Sequence, residues 1–590
     1  MTNSDIAHLL RQVAAAYSIK DEKKHYFQIV AYQKAADAIE KSTTQAIDLY
    51  NEGKLEDLPG VGPSIKEHLD ELFKKGKVKH FEAVLKGISP AVFPLLDIPS
   101  FGPKKANRLV THFHLENPKT VIADVAKLAT TGKIADLEGF GEKSESDILR
   151  ATEEFAKGAG KTTRMLLPFA NDLAQKLVEY LKKSPAVKEA EPLGSLRRKV
   201  VTIGDIDIAV SSNNPKEVIE HFVKYPYINR IIEKGPVSAS ILANGDRQVD
   251  LMVQPVAGFG SLLQHFTGSK HHNVHLREYA LKKGLSLSER GIKKAKSPGE
   301  EGRVQYSTEE KFYNALGMDL IAPEMREDTG EIERALKHDL PRLVELKDIK
   351  GDLHIHSSYE IQPSHDAGQQ PMEDMLKRAN ELGYEYLGFS EHNPSTGNHT
   401  SSQIYSILKK RQEKIEQLKS SNKSVRVINL LETDILPSGN LAIDEKALEF
   451  LDATLVSVHS SFAMSKDEMT KRVLKGLSHP KAKILTHPTG RLLNQRQGYQ
   501  LDWEKIFAFC KDNNKALEIN AWPERADLPD NLIRQAITYG VKLVIDTDSH
   551  ATSQMDIMEY GVYQARRGWA TKGDILNTLS YNEFIKWIKS

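Results

Sequence analysis

The chain has 590 residues, of which 27% are charged and 40% hydrophobic, and its formal net charge is +1. This length exceeds what one hydrophobic core supports and predicts about three to five domains. The near-zero charge excludes a uniformly basic nucleic-acid-binding protein, so any DNA contact must come from local patches of lysine and arginine.

The cysteine and apolar content bear on the cellular compartment. Cys510 is the single cysteine, which excludes an internal disulfide. The first residues, MTNSDIAHLLRQ, lack the apolar stretch of a signal peptide, and no run reaches the roughly 18 apolar residues of a membrane span. We therefore expect a cytoplasmic protein with no membrane partner.

Residues 1 to about 160 have helical periodicity and contain a repeated turn, at 58–63, 98–103 and 137–143. One copy alone would indicate an ordinary helix connection capped by glycine. Three copies favour helix-hairpin-helix motifs, in which glycines let backbone amides at a helix N-terminus approach a DNA phosphate. The candidate DNA-binding residues are Gly60, Gly62, Gly102, Gly139 and Gly141.

The segment 194–210 combines a Gly-Ser pair, two arginines and a strand-like apolar run. Asp205 and Asp207 are two residues apart, so in a strand both carboxylates would point to the same face. Asp250 lies in a second strand-like run, 248–253, and would complete the site from a neighbouring strand. Asp-x-Asp alone arises by chance on exposed strands, but the whole set suits two Mg²⁺ ions that serve an in-line phosphoryl displacement.

This segment resembles the palm of the family X DNA polymerases, the group of DNA polymerase beta. The family's Tyr-Phe-x-Gly-Ser motif appears at 265–269, with His265 in place of Tyr and Lys270 in place of a common Asp. These two departures bear on sugar discrimination and base stacking. The resemblance implies that Asp205, Asp207 and Asp250 are catalytic and bind Mg²⁺. It implies nucleotide-binding roles for Gly194, Ser195, Arg198, Gly204, Phe266, Gly268, Asn273 and Arg277.

In the same family, the first helix-hairpin-helix carries a lysine that forms a Schiff base with an abasic sugar. The alignment places His68 at that position, and an imidazole cannot form the imine that an amine forms. Lys66 is nearby in sequence but faces another side of a helix. We expect no sugar-phosphate lyase activity, while the domain still binds a 5′-phosphate at a gap.

From Asp352 onward, short apolar runs repeatedly end in histidine or a carboxylate, and helical stretches separate most of them. Functional groups at the C-terminal ends of successive strands are typical of a βα barrel. A lone histidine at a strand end is more often structural, but the repetition favours a metal site. Mixed imidazole and carboxylate ligands suit Mn²⁺, Fe²⁺ or Zn²⁺ better than Mg²⁺.

This half resembles the PHP phosphoesterases, whose barrels hold up to three metal ions. The implied ligands are His354, His356, His392, Glu432, His459, His487, Asp548 and His550. For the ninth ligand we choose Asp366, with His365 as the alternative. Glu391 stands where the family commonly has Asp, a longer side chain behind the ligands. Mn²⁺ or Zn²⁺ is the expected metal.

The two resemblances predict a multidomain α/β and α+β protein: a helical helix-hairpin-helix N-terminal region, a nucleotidyltransferase palm with a thumb, and a C-terminal PHP βα barrel. The predicted bounds are 1–85 and 86–165 for two helical regions, 166–260 for the palm, 261–325 for the thumb, 326–350 for a linker and 351–590 for the PHP domain. We expect a DNA-directed DNA polymerase that fills short gaps in base excision repair. Its PHP domain would act as a 3′–5′ exonuclease and cleave at abasic sites.

The expected partners are gapped or primer–template DNA and deoxynucleoside triphosphates, bound by a monomer. Two alternatives come from other classes: a metal-dependent PHP phosphoesterase with an accessory DNA-binding half, and a non-catalytic DNA-end scaffold. The complete palm motif argues against the first, and the number of metal-type residues argues against the second.

Overall fold

The computed structural model describes residues 3–41, 46, 50, 55, 61–96, 98, 101–137, 139–141, 144–146, 148–149, 151–152, 164–243, 247–297 and 301–590. The chain divides into two compact units, Met1–Thr163 and Arg164–Ser590. Among the described residues, no helix has the length and apolarity needed to cross a membrane.

The first unit is helical, as its periodicity predicts. Its helices are α1 (Asn3–Asp21), α2 (Tyr26–Lys41), α3 (Pro63–Lys75), α4 (Lys79–Leu85), α5 (Val92–Leu95), α6 (Pro103–His112) and α7 (Val121–Thr130). They bury two apolar clusters, one around Leu10 and Leu69 and a second around Leu109 and Val125. Proline at the first position of α3 and of α6 starts each helix without an amide that would need an acceptor.

The second unit begins with a palm built on a five-stranded sheet. The elements are β1 (Met165–Leu166), α8 (Leu167–Leu181), β2 (Glu189–Pro192), α9 (Gly194–Arg197), β3 (Thr202–Ile203), β4 (Ile206–Ser211), α10 (Pro215–Phe222), β5 (Ile228–Lys234), β6 (Ser238–Ala243) and β7 (Arg247–Gln254). The strand order in the sheet is β2-β4-β7-β6-β5; strands β4 and β7 are parallel, and the other pairs are antiparallel. Alternate residues of the central strands, such as Ile206 and Ile208, are buried against α8 and α10.

The thumb follows directly. It contains α11 (Phe259–Thr267), α12 (Lys270–Lys282), β8 (Leu285–Ser288), β9 (Gly291–Lys294), α13 (Glu309–Ala315) and α14 (Glu331–Leu336). The segment predicted as a linker, 326–350, contains α14 and the fully buried Arg326. Ile332 and Ala335 of α14 pack into the same apolar cluster as Phe312, so this stretch is an integral part of the thumb core.

The last part alternates parallel strands and helices. The strands are β10 (Gly351–Ile355), β11 (Tyr386–Phe389), β12 (Arg426–Asn429), β13 (Glu432–Asp434), β14 (Thr454–Ser457), β15 (Ala482–Leu485), β16 (Ala516–Asn520) and β17 (Lys542–Asp546). The helices are α15 (Met372–Glu381), α16 (Ser401–Ser421), α17 (Glu445–Leu448), α18 (Lys466–Leu477), α19 (Trp503–Asp512), α20 (Asp530–Tyr539), α21 (Met558–Arg567) and α22 (Tyr581–Lys589).

These strands form two parallel sheets, β10-β11-β12 and β13-β14-β15-β16-β17. Two isolated parallel bridges join the sheets, His392 to Glu432 and Ile355 to Ser549. The second bridge connects the first strand of the series to the residues that follow the last strand. This arrangement brings the C-terminal ends of the strands together, which is what a metal site at that edge requires.

Candidate active sites

The palm places two of its predicted carboxylates side by side. Asp207 on β4 is the direct register partner of Asp250 on β7. Asp250 accepts a hydrogen bond from the Ser240 hydroxyl and another, at 3.0 Å, from the Gln248 amide. The prediction for Asp205 differs from the structure, because Asp205 lies in the bend before β4 and not in the strand.

The electrostatics of Asp207 indicate that the three carboxylates face one another. Burial and then the negative charges of Asp205 and Asp250 raise the pKa of Asp207 to about 7. Clustered carboxylates repel one another, and a cation that they bind together relieves this repulsion. The donor set of oxygen atoms alone therefore fits a hard divalent ion such as Mg²⁺.

The Gly-Ser-Arg turn touches this carboxylate set. Gly194 has a φ of +57°, and a Cβ added there would lie 2.8 Å from Oδ2 of Asp207. The Leu193 amide donates to the Asp207 carbonyl at 2.8 Å. Glycine is therefore required both by the backbone conformation and by the close approach to Asp207. Ser195, next in the turn, is partly exposed.

The Arg198 side chain leads from this turn to the 265–269 motif. Its guanidinium donates to the Thr267 carbonyl at 2.5 Å and to Glu327 Oε1 at 2.9 Å. A Cβ on Gly268, where φ is +71°, would lie 3.0 Å from Arg198 Nη1. Arg198 and Gly268, two of the predicted nucleotide-binding residues, are thus neighbours in the structure.

The other predicted nucleotide-binding residues follow on α11 and α12. The Asn273 amide donates to the His265 carbonyl at 2.6 Å, and Arg277 lies 3.4 Å from the His265 ring nitrogen. Burial and the Arg277 charge lower the pKa of His265, which keeps the imidazole neutral. Phe266 packs against the cluster under this helix. Gly204 is more distant from the motif, beside Arg164.

Most predicted metal ligands of the C-terminal half lie at or just after the C-terminal ends of strands, whereas Glu432 begins β13 and Asp366 lies in the loop after β10. They form overlapping groups of three whose ligand atoms are within 4.8 Å of one another: His354 with Glu432 and His487, His354 with His356 and Asp548, His356 with His392 and His550, and His392 with Glu432 and His459. Two of these residues, His487 and Asp548, have positive φ angles of 29° and 56°. Such backbone strain in non-glycine residues is concentrated at functional sites.

The polar atoms of this cluster fit metal ions. Among the described residues, several buried atoms here make no well-directed hydrogen bond, although some lie close together, as His392 Nδ1 does at 2.9 Å from Glu432 Oε2. They are His354 Nε2, both ring nitrogens of His356, His392 Nδ1, Glu432 Oε2, His487 Nδ1 and His550 Nε2. Buried polar atoms without partners are rare in folded proteins because each costs free energy. Imidazole nitrogens and carboxylate oxygens facing one another in this number are the donor set of a site for transition-metal ions.

The charges in the cluster differ from residue to residue. Burial lowers the pKa of His354, but Asp548, Glu518 and Glu432 outweigh burial and raise it well above its usual value. Burial and the neighbouring His392 instead hold the pKa of His356 well below its usual value. The carboxylates around His354 thus favour its charged form, whereas the burial of His356 favours its neutral form.

Comparisons with known proteins match three parts of the chain. The helix-hairpin-helix domain family matches residues 1–78, the DNA polymerase beta thumb family matches 262–327, and the PHP domain family matches 352–521. The chain is 31% identical over 598 residues to the DNA polymerase/3′-5′ exonuclease PolX of Bacillus subtilis, covering 100% of both chains. The chain belongs to the family X DNA polymerases that carry a C-terminal PHP domain.

More distant relatives match only part of the chain. DNA polymerase lambda of Rattus norvegicus is 24% identical over 353 residues, which is 55% of this chain and 56% of the relative. A probable phosphatase of Caldicellulosiruptor saccharolyticus is 24% identical over 187 residues, which is 30% of this chain and 73% of the relative.

Some residues of the nuclease cluster were missed by sequence reasoning. Asp434 forms a group with His365 and His459, and its Oδ1 lies 2.7 Å from His459 Nδ1. Glu518 Oε1 lies 2.5 Å from His354 Nδ1. These carboxylates leave the Nε2 atoms of both histidines to face the cluster, a common support for metal-binding imidazoles. The spacing Glu432-x-Asp434 on one strand was the available signal for Asp434.

The ninth ligand stays a choice between two neighbours. Asp366 is 3.3 Å from His392 Nε2 and 3.3 Å from His550 Nε2, although its side chain is 74% exposed. His365 instead lies 3.2 Å from Asp434. Both residues approach the cluster, and both lie beside His392.

Glu391, which stands where the family commonly has Asp, points away from the predicted ligands. Its carboxylate pairs with the buried Arg411 and accepts a hydrogen bond from the Ser357 hydroxyl. The longer side chain is thus used in a buried ion pair that ties helix α16 to the strand ends.

A cavity of about 250 Å³ opens over the ligands and is lined by Arg496, Arg525 and Phe462. Arg525 Nε lies 3.4 Å from Asp548 Oδ2, and the Arg496 guanidinium lies over the Phe462 ring at 4.1 Å. The positive charges of these two arginines, beside a cluster of metal-type ligands, would favour binding of a phosphodiester.

The helix-hairpin-helix turns of the first unit share one geometry. In each copy an amide donates to the carbonyl of the glycine four residues earlier: Lys66 to Gly62 at 2.9 Å, Ala106 to Gly102 at 3.0 Å, and Glu145 to Gly141 at 2.9 Å. Gly139 has a φ of +86° and lies beside Arg108. Gly60 and residues 142–143 are outside the described residues.

His68 is fixed by neighbours in the first unit. Its ring stacks on His80 with centroids 4.6 Å apart, and its Nδ1 lies 3.0 Å from the Tyr32 hydroxyl. Burial and His80 lower the pKa of His68. Lys66 pairs with Asp70 at 3.4 Å. This pocket therefore presents imidazole and phenol groups where the family has a lysine.

Proposed function

We propose that this enzyme fills short gaps in DNA during base excision repair, adding deoxynucleotides at the palm and removing 3′-terminal nucleotides at the PHP cluster. The observation that carries the polymerase half is the pairing of Asp207 with Asp250 beside the Gly194 turn. This arrangement joins an acidic site to a turn of the size that accepts phosphate groups. The Bacillus subtilis relative is named for the same two activities.

In the palm, Asp205, Asp207 and Asp250 would hold two Mg²⁺ ions. When bound, these ions supply the positive charge that an in-line attack of a primer 3′-hydroxyl on the α-phosphorus requires. The protein's own residues orient the parts. Ser240 and Gln248 fix the Asp250 carboxylate by hydrogen bonds.

The nucleotide would be bound by the turn and by the 265–277 segment. Ser195 and Arg198 offer a hydroxyl and a charge to the triphosphate. Phe266 and Gly268 would line the sugar, and Asn273 would contact the base in the minor groove. Arg277 would approach the template strand. The proximity of Arg198 to Gly268 supports a single continuous nucleotide site.

In the PHP domain, the ligands would be His354, His356, Asp366, His392, Glu432, His459, His487, Asp548 and His550, holding up to three Mn²⁺ or Zn²⁺ ions. When bound, these ions supply Lewis acidity for water attack on a phosphodiester. Glu518 and Asp434 hold two ligand imidazoles in their tautomers by accepting from Nδ1. Arg525 and Arg496 would bind the phosphate at the cavity mouth.

Separate variants test the two assignments. Asp205→Ala should abolish nucleotide addition on a gapped duplex and leave exonuclease activity, because the sites have separate metals. His354→Ala combined with His356→Ala should do the reverse. Loss of both activities in either folded variant would contradict independent sites.

We also propose that the PHP metals account for any incision at abasic sites, because His68 stands in place of the imine-forming lysine. Borohydride should trap little covalent adduct between an abasic sugar and the first unit, and a chelator should stop incision. Strong trapping at Lys66, or incision that survives chelation, would contradict this assignment.

A further inference from the structure

Helix α21 of the PHP domain lies against the polymerase half of the second unit. Tyr560 and Tyr563 pack against the palm core, and Arg566 Nε donates to Glu324 of the thumb at 2.8 Å. Trp569, just after the helix, belongs to the thumb's apolar cluster. One helix of the nuclease domain therefore contacts both parts of the polymerase.

Arg567 makes the most buried polar contact at this face. Its side chain is 7% exposed, and Nη1 donates to the Arg198 carbonyl at 2.8 Å and to Glu327 Oε1 at 3.0 Å. Nη2 donates to Asp530 of α20 at 2.6 Å. Burial lowers the pKa of Arg567, but the charges of Asp530 and Glu327 outweigh burial and raise it. The guanidinium is thus charged and anchored within its own domain.

The two acceptors on the polymerase side both belong to the surroundings of Arg198. Glu327 Oε1 accepts from Arg567 and also from Arg198 Nε at 2.9 Å. Arg567 therefore holds the main chain of Arg198 directly and its side chain through Glu327. Because Arg198 Nη1 also donates to the Thr267 carbonyl, the guanidinium has a fixed position next to Gly268.

We propose that Arg567 of the nuclease domain is a positioning residue for nucleotide binding at the polymerase site. It fixes the end of the turn 194–198 and the carboxylate that orients the Arg198 guanidinium toward a triphosphate. This inference rests on the proposed function, in which Arg198 binds the triphosphate.

The expected defect is specific. Without the Arg567 guanidinium, Glu327 loses one of two cations and the Arg198 carbonyl loses its donor, so the turn gains freedom. A less ordered turn weakens triphosphate binding, because ordering it costs entropy on each binding event. Asp207 and Asp250 sit on paired strands that Arg567 does not touch, so the chemical step should be largely unaffected.

The test compares two neighbouring arginines by single-nucleotide addition to a primer–template with Mg²⁺. Arg567→Gln should raise KM for the deoxynucleotide about tenfold, the worth of a charge-assisted contact, with kcat changed less than about twofold. Arg566→Gln is the matched control, since Arg566 bonds Glu324 and the Val344 carbonyl and not the turn. It should leave KM within about twofold of the parent value.

Two further arms keep the outcomes distinct. Arg567→Lys should give an intermediate KM, because one ammonium keeps the charge without the fork geometry. In a double-mutant cycle, Glu327→Gln should raise KM by itself and add little to Arg567→Gln, because both variants break the same connection. If Arg567→Gln does not fold, the KM of Arg567→Lys decides in its place, because Glu327 also bonds Arg198 directly.

Arg198→Gln separates the inference from the function on which it rests. A raised KM for Arg198→Gln with an unchanged KM for Arg567→Gln would overturn the positioning role and leave the triphosphate role intact. An unchanged KM for Arg198→Gln would overturn both. Equal losses of kcat and of exonuclease activity in Arg567→Gln would show general destabilisation and would also overturn the inference.

Discussion

At the scale of single residues, Asp207 is where the clustered carboxylates of the palm lower the stability of the metal-free protein. Burial and two neighbouring carboxylates raise its pKa from 3.8 to about 7, so the folded state holds a proton that the unfolded state has released. Between these two values the metal-free protein loses stability as pH rises, because ionising the folded form is the more costly step. Bound Mg²⁺ would neutralise the repulsion between the carboxylates and so offset this loss of stability.

We therefore expect Asp207→Asn to raise the unfolding temperature of the metal-free enzyme at pH 8 by a few degrees, since the amide cannot ionise. The gain should shrink as pH falls toward 4. Thermal unfolding in a chelator, followed across this pH range, measures the difference. Added Mg²⁺ should stabilise the parent more than the variant. A gain that does not depend on pH would contradict the role of the charge.

Gly194 offers a second residue-level test, because a matched glycine separates backbone strain from crowding. Gly194→Ala places a methyl group 2.8 Å from Asp207 Oδ2, whereas Gly284, with a φ of +72°, has no described atom within 4 Å of an added Cβ. Both alanines should cost roughly 1 kcal/mol of stability from the left-handed backbone. Only Gly194→Ala should lower nucleotide addition, by about a hundredfold, through the displaced carboxylate.

Primer extension and urea unfolding of both variants check this expectation. Equal extension by the two variants would mean that the turn does not need to approach Asp207.

At the scale of elements, the sequence predicted local patterns well. Alternating apolar residues placed Asp207 and Asp250 on strands, and the repeated turns predicted the helices that start after Gly62 and Gly102. The bend that holds Asp205 was missed because Gly204 and Asp205 interrupt an apolar run that otherwise reads as one strand. Local patterns do not reveal such a break.

The nuclease site shows which residues a local sequence pattern can predict and which it cannot. Residues that follow strands were found, because their position relative to an apolar run is visible in the sequence. Glu518 was missed because its role depends on His354, 164 residues away, and no local pattern links them. The segment 326–350 was predicted as a linker, but Ile332 and Ala335 of α14 pack into the apolar cluster of the thumb.

The helix-hairpin-helix turns lead to a prediction about whole elements. Gly102 has a φ of −82°, and an added Cβ would meet no described atom within 4 Å, so alanine fits without strain. A methyl group there would still stand between the amides of α6 and a phosphate. We expect Gly102→Ala to keep the stability of the protein and to weaken its binding to DNA of any sequence, because only backbone is contacted.

Fluorescence anisotropy with two gapped duplexes of different sequence tests the effect. Gly573→Ala in the PHP domain, where an added Cβ would meet only the Thr571 hydroxyl at 3.7 Å, is the control and should bind both duplexes as the parent does. A loss confined to one sequence would contradict a phosphate contact.

At the scale of the whole molecule, the two sites should prefer different metals. The palm offers oxygen ligands only, whereas the PHP cluster is rich in imidazole and therefore favours a softer ion. Low Mn²⁺ added to a Mg²⁺ reaction should raise exonuclease activity more than it raises extension. Parallel assays on one labelled primer measure both. Full exonuclease activity on Mg²⁺ after chelator treatment would count against the ligand assignment.

The contact between Arg567 and Arg198 also bears on how the protein is made. The two residues are 369 positions apart in the chain, so the ribosome completes the palm and thumb long before helix α21 exists. Until then the Arg198 carbonyl and Glu327 lack the Arg567 donor, and the palm surface that Tyr560 and Tyr563 cover is exposed to solvent. If Arg567 positions Arg198 as proposed, a nascent polymerase half would bind nucleotides more weakly until the nuclease domain that follows it has been synthesised.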